Sequence, residues 1–324
     1  MNIDFYGGRL GRRRKKNKSI LIKIKYFLIF LLAISLLVSL FEKNEFNIIS
    51  NISGIIKKKE NSKVTIYPLE ESSKSSRSSS IFNINDELKK TLASDNVSWC
   101  FLDLKTGEKI GNNIDREMQV ASLSKLSVLY TVMLQIKENK IDWENKIAFT
   151  SDDYITGSGV LQETIDEGDS YSIRELCRLL LEKSDNIAYR MLMRTVGQDV
   201  VKEKLNSEGM SIRFEDGNYM SANSVALLLR DIWELILSGK NDFAEVLGWM
   251  ASSSYRDGIP AALSDNDYLV ANKEGNISGS VLADSGVILT SHPYILVVIT
   301  NGMDDDEGYG IIHSIAEAFS KKAS

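Results

Sequence analysis

Apolar residues recur every three or four positions along 122–138, 172–183, 187–196 and 221–237, which predicts four helices in the middle of the chain. Outside that block the pattern changes period. Residues 97–104 and 108–111 read as two strands joined at Lys105-Thr106-Gly107, where ordinary turn chemistry accounts for the residues. Strand character returns at 268–270 and 280–289. The run 294–300 is apolar on both faces, as a strand central in a sheet would be. Further helices are expected at 86–93 and 310–321. Strands at both ends of a helical middle predict an α+β fold, an antiparallel sheet assembled from the two ends of the domain and flanked by terminal helices, with an all-helical lobe inserted.

The first forty residues follow another rule. Residues 20–41 are apolar except for Lys23, Lys25 and two serines, and 26–41 carry no charge. As a helix they would be about 33 Å long, against a hydrocarbon core of about 30 Å. Residues 1–41 hold nine Lys/Arg against one acid, Asp4, although the whole chain carries a net −5. A basic cluster such as Arg12-Arg13-Arg14-Lys15-Lys16 suggests nucleic acid when it stands alone. Beside an apolar span it is instead a topology signal. The expectation is a basic cytoplasmic tail (1–19), a single transmembrane signal anchor (20–41), a flexible Ser/Lys-rich extracytoplasmic linker (42–80) and one domain (81–324). No small-x-small cleavage motif stands near 38–42, which favours an uncleaved anchor over a removable signal peptide. The implied partner is a membrane, with no nucleic acid, and the implied location is the cell membrane with the domain outside.

Composition narrows the chemistry. Two Cys and two His in 324 residues cannot build a four-ligand zinc site of soft donors, nor a disulfide scaffold. Cys100, in the first strand, and Cys177, in a helix, are expected to be unpaired and buried. His292 reads as a turn residue before a strand and His313 as part of the last helix, so a hydrolase here would use a base other than His. No metal or cofactor is implied.

Ser122-Leu123-Ser124-Lys125 opens the first long helix, where residues three apart share a face and Lys125 Nζ could reach Ser122 Oγ. By itself so short a pattern is equally a solvated lysine on a helix. Ser184-Asp185-Asn186 breaks one helix and caps the next, but the same tripeptide stands at 94–96 and 264–266. Order and spacing choose among them: Ser122…Lys125, then Ser184…Asn186, then Lys273-Glu274-Gly275. With Gly157-Ser158-Gly159-Val160-Leu161-Gln162, Arg256-Asp257-Gly258-Ile259-Pro260, Ala283-Asp284-Ser285-Gly286-Val287 and Pro293-Tyr294-Ile295-Leu296, the stretch from about 83 to 322 resembles the class A β-lactamase-like, penicillin-recognising serine hydrolases.

The resemblance implies a β-lactamase/transpeptidase-like fold and an acyl-enzyme on Ser122, with Lys125 as base. Ser184 would relay the proton to the leaving nitrogen and Lys273 would orient Ser184. Asn186 would bind the substrate amide, and the backbone N–H groups of Ser122 and Asn276 would form the oxyanion hole. The implied substrates are β-lactams or peptidoglycan-type amides and esters. A lysine acts as a base only when neutral, and lowering it from about 10.4 to near 7 takes roughly 4 kcal/mol from burial and a second cation. Lys273 is that cation in the resemblance.

Two departures qualify it. Glu274 stands where the family has a hydroxyl that helps to hold the substrate carboxylate. That predicts poor binding of ordinary penicillins and a preference for substrates lacking the carboxylate, unless Glu274 turns to solvent. No Glu-x-x-Leu-Asn segment precedes Lys273, and Glu215 is read as a turn residue ahead of a helix capped by Ser221. Without a water-activating carboxylate, deacylation is expected to be slow. A non-catalytic receptor that kept the fold and the cleft is the alternative.

Overall fold

The computed structural model describes residues 93–266 and 268–320. The expected cytoplasmic tail, membrane anchor and linker, and the expected helix at 86–93, lie outside the described residues. Among the described residues no helix is long and apolar enough to cross a membrane.

In chain order the elements are β1 (Val97–Asp103), β2 (Lys109–Asn112), β3 (Met118–Gln119), a 3₁₀ turn (Ala121–Ser124), α1 (Lys125–Lys137), β4 (Lys146–Ala148) and β5 (Ser170–Ser172). There follow α2 (Ile173–Glu182), α3 (Asn186–Val196), α4 (Gln198–Ser207), β6 (Tyr219–Met220), α5 (Ala222–Leu237), α6 (Ala244–Ala251) and α7 (Ile259–Ala262). The chain returns to the sheet in β7 (Leu269–Ile277), β8 (Val281–Leu289) and β9 (Tyr294–Asn301), and α8 (Asp305–Ser320) follows.

The main sheet has the order β2-β1-β9-β8-β7, antiparallel throughout, so the first strands pair directly with the last. The sheet is therefore built from both ends of the domain with the helices between, as the hydrophobic pattern implies, and β9 sits at its centre. Ser172 and Ser221 cap α2 and α5, each accepting a backbone N–H, which is where the sequence starts those helices.

Alternation along β7 sorts its side chains to two environments. Val270 joins the core formed with Leu282, Ile288, Leu296, Val298 and the α8 residues Ile312, Ile315 and Phe319. Asn272, Glu274 and Asn276 share that face. Ala271, Lys273 and Gly275 project to the other face, toward the 3₁₀ turn and the helices. This edge strand runs to Ile277, well beyond the 268–270 that its apolar residues announce.

Candidate active site

Ser122 lies in the 3₁₀ turn that precedes α1, in place of the expected first turn of an α-helix. The backbone before it is left-handed at Ala121 (φ 46°), a conformation that costs a non-glycine residue on the order of 1 kcal/mol or more. The elbow is tied down on both sides. Ala121 N donates to Gly217 O (2.8 Å), Val120 N donates to Asn218 O (2.9 Å) and Ser124 Oγ donates to Ala121 O (2.8 Å). Asn218 Nδ2 reaches the same Ser124 hydroxyl at 2.9 Å.

Strand β7 lies directly against this elbow at Gly275. A Cβ added there would sit 2.9 Å from Ser122 N and 3.0 Å from Leu123 N, so only glycine allows so close an approach. The contact brings Ser122 beside the end of β7 and Asn276, the pair expected to supply the oxyanion donors. Asn276 is exposed at that end of the strand.

Between α2 and α3 the chain passes through Ser184, itself left-handed (φ 51°) and buried. Lys125 Nζ donates to the Ser184 carbonyl, to Ser184 Oγ (3.1 Å) and to Asn186 Oδ1 (2.7 Å). Lys273 Nζ donates to the same Ser184 Oγ at 2.9 Å and to its neighbour's carbonyl, Glu274 O, at 2.6 Å. Two buried lysines thus converge on one hydroxyl. No carboxylate lies within ion-pair distance of either among the described residues. Burial pushes the Lys125 amine well below its ordinary value, and the charge of Lys273 pushes it further. Burial brings Lys273 down to about 8, held from falling further by Glu274 and Asp284.

The expected Ser122–Lys125 hydrogen bond is not closed. Among the described residues Ser122 Oγ makes no hydrogen bond, because all three donors of the Lys125 ammonium are taken by Ser184 and Asn186. A neutral Lys125 relieves this arrangement. It would donate to the Ser184 carbonyl and to Asn186 and keep its lone pair for a hydroxyl, while Lys273 holds Ser184.

Asp185 is a positioning residue that the motif alone did not reveal. One oxygen caps α3 through Ile187 N and Ala188 N, and the other accepts Val160 N (2.7 Å) and Leu161 N (2.9 Å). A Cβ on Gly159 would collide with that carboxylate. Asn186 Nδ2 in turn donates to Thr156 O (3.1 Å). The Gly157-Ser158-Gly159 segment is thereby locked to the Ser184-Asp185-Asn186 turn.

Glu274 does not turn to solvent. It is 4% exposed, on the face of β7 away from Ser184, and Tyr309 of α8 donates to its Oε1 at 3.1 Å. Its Oε2 is buried without a partner, and burial raises its pKa. Opposite it on β8 stands Asp284, fully buried, raised to about 7 by desolvation although Asn272 Nδ2, Ile259 N and Ser285 N donate to it. The anticipated negative charge at the third motif is therefore real in composition but sealed beneath Tyr309.

Glu215 behaves as a turn residue. It is exposed, paired with Arg213, and its carbonyl accepts Asn218 N at 2.7 Å. Cys100 and Cys177 are both free and buried, as expected. His292 lies in the turn before β9 and His313 on α8, where it contacts the Asp257 carbonyl (2.6 Å).

Known proteins share this fold. Residues 83–323 match the model of the β-lactamase enzyme family. A β-lactamase of Streptomyces fradiae is 25% identical over 63% of this chain and 73% of its own length. Among solved structures, PBP-A superposes with a TM-score of 0.65 at 19% identity, covering 73% of this chain and 94% of PBP-A. A β-lactamase from Sphaerobacter thermophilus gives 0.63 at 21% identity, covering 70% and 91%. With the family model spanning most of the chain, and the two lysines meeting at one serine within the expected sheet-and-helix architecture, the chain belongs to the β-lactamase enzyme family.

Proposed function

We propose that this protein is a membrane-anchored, extracytoplasmic serine hydrolase that forms an acyl-enzyme on Ser122 from a β-lactam or a peptidoglycan-type amide or ester. The convergence of Lys125 and Lys273 on Ser184 Oγ carries the reading. Neutral Lys125 accepts the Ser122 hydroxyl proton as Oγ attacks the carbonyl carbon. The oxygen of the tetrahedral intermediate becomes negative against the Ser122 and Asn276 amides, and such donors contribute a few kcal/mol each. The C–N or C–O bond then breaks. The proton on Lys125 returns through Ser184 to the leaving atom, and Lys273 keeps that hydroxyl oriented. Asn186, fixed by Thr156 and Lys125, presents its side-chain amide to the substrate amide.

Hydrolysis of the ester needs a water and a base. The nearby Glu215 is committed to Arg213 and solvent, which supports slow deacylation. One structural relative, a variant of PBP-A, was solved as an acyl-enzyme complex with penicillin G, at a TM-score of 0.66 and 19% identity. That supports β-lactams as acylating agents here. The anchor is supported by the apolar run 20–41 and its basic flank.

Incubating the full-length chain with a penicillin and following intact mass tests the proposal. The expected result is a lasting adduct that Ser122→Ala abolishes. Neither adduct nor ring-opened product would remove β-lactams from its ligands and promote the receptor reading. The side chain at 274 lies on the face of β7 away from Ser184, so Glu274→Thr should leave the acylation rate by penicillins within about twofold. A rise of about tenfold would show that the sealed carboxyl governs penicillin selectivity from beneath the strand.

A further inference from the structure

Beyond Gly275 the strand that carries the Asn276 amide has little of its own to hold it. β7 is an edge strand paired with β8 alone, and its last residues, Asn276 and Ile277, are exposed. An amide that meets a developing charge is effective only when it is fixed before the charge forms. The first turn of α8 supplies a hold at three points. Asp305 accepts Gly279 N at 3.0 Å and Ser278 Oγ at 3.4 Å, which grips the turn between β7 and β8. Gly308 lies so close to the sheet that an added Cβ would be 2.9 Å from Leu282 Cδ2 and 3.1 Å from Thr300 Oγ1. Leu282 is the residue paired with Asn276 on β8.

Tyr309 makes the third hold. Four positions after Asp305, it lies on the same side of the helix. Its ring packs against the core that the sheet shares with α8. Its hydroxyl has two partners on β7: it donates to Glu274 Oε1 at 3.1 Å and accepts from the side-chain amide of Asn276. The buried carboxyl fixes the direction of the hydroxyl proton and so leaves the oxygen lone pairs to Asn276. Burial, with the Glu274 charge adding to it, pushes the Tyr309 hydroxyl up, so it keeps its proton.

We propose that Tyr309 is a positioning residue for the acylation of Ser122: by holding the Asn276 side chain it fixes the Asn276 backbone N–H where the oxyanion forms. The assignment rests on Ser122 being the acylated residue. On the opposite side the nucleophile turn presses on Gly275, so residues 275–276 are gripped between that turn and the terminal helix. The phenol oxygen, not the Glu274 carboxyl, meets Asn276; with a shorter residue at 274, water can accept the hydroxyl proton. Tyr309 acts without touching the substrate, so its loss belongs to the chemical step and not to binding.

Tyr309→Phe in the full-length chain tests it, since it removes the oxygen and keeps the ring in the core. At saturating penicillin G the acylation rate should fall about tenfold, less than the roughly 10²–10³ lost with a whole oxyanion donor. The dissociation constant of the complex formed before acylation should stay within about twofold. The ester carbonyl of the acyl-enzyme, read by isotope-edited infrared spectroscopy, should move to higher wavenumber, because its hydrogen bond to the Asn276 amide is weaker. A merely structural role would leave that band in place. Asn276→Ala, at an exposed position, keeps the backbone amide and should reproduce both changes, and the double variant should be no slower than either single one. An unmoved band in Tyr309→Phe overturns the proposal whatever the rate, as do losses that multiply in the double variant. If penicillin G labels Ser122 in the wild type and Tyr309→Phe changes nothing, the clamp alone falls. If the wild type is not labelled at Ser122, the acyl-enzyme reading falls and takes the clamp with it.

Discussion

Strand β7 has two faces with opposite electrostatics. On one, Lys125 and Lys273 meet at Ser184 without a touching carboxylate. On the other, Glu274 and Asp284 face each other without a touching cation. Direct Lys–Glu contacts would have satisfied all four groups, and would have disabled the site, because a paired lysine keeps its proton. Keeping the cations and the acids on opposite faces leaves each group to the desolvation that pushes it toward neutrality: the Lys125 amine down, the Asp284 carboxyl up. The strand serves as an insulator between a basic and an acidic cluster. The charges still sense each other through it, since Glu274 and Asp284 hold Lys273 at about 8.

The comparison is broken most severely by Lys125→Met, which keeps the buried volume and removes the base. Acylation should fall by about 10²–10⁴, the usual span for a lost general base, with the fold retained by circular dichroism. Ligand bound non-covalently with unchanged affinity, and no acylation even in the wild type, would instead mark a receptor.

The helical and strand periods of the sequence were enough to place the sheet and most of the lobe, but polar chemistry hid the pieces that matter here. Asn272-Lys273-Glu274-Gly275-Asn276 shows no apolar alternation, so the apolar signal of β7 ends at Val270. Its period is in fact kept by charge, with Lys273 on one face and Glu274 on the other. The terminal helix was expected from Gly310. It begins at Asp305, which brings Tyr309 onto Glu274. The helices α4 and α6 were missed because one is mostly polar and the other is only Ala244–Ala251. Of the three Ser-Asp-Asn tripeptides, 184–186 alone was selected, by spacing. The structure puts Asn96 in a turn on Ser94 Oγ and 264–266 in the turn after α7. The strain at Ala121 had no signal in the sequence, since alanine does not advertise a left-handed backbone.

Gly275→Ala attacks the insulating strand itself. The added methyl would meet Ser122 N and Leu123 N and force β7 off the nucleophile turn. Overpacking of this kind costs about 1–3 kcal/mol in stability. Because the shift separates Ser122 from Asn276, acylation should fall by at least about tenfold more than stability loss explains. Urea midpoints and acylation rates measured together would show it.

Lys273→Met sharpens the electrostatic half of the argument. Removing the second cation raises the Lys125 pKa, so a higher pH is needed to free its lone pair. The acid limb of the acylation-rate profile should move to higher pH, by up to about one unit for a like charge at this range. A loss of rate at all pH values with an unmoved limb would mean that Lys273 acts only by holding Ser184.

The acidic face makes the smallest and most direct prediction. Asp284 in the fold titrates at about 7, against about 3.9 in an unfolded chain. The native state therefore holds that proton after the unfolded state has released it. The stability this gives is complete below about pH 4 and is lost as pH rises through 7, at most about 4 kcal/mol over the whole window. Glu274, also raised, works in the same direction. The two lysines, with lowered values, work in the opposite one, so the wild-type slope alone is ambiguous and the difference between two proteins is what decides. Asp284→Asn copies the neutral acid and removes its titration. Between pH 5 and 8 the variant should lose less stability than wild type by about 1–3 kcal/mol, read from urea unfolding at each pH. Parallel curves would mean that Asp284 is ionised throughout, held by its three donors, and that the strand insulates less than its two faces imply.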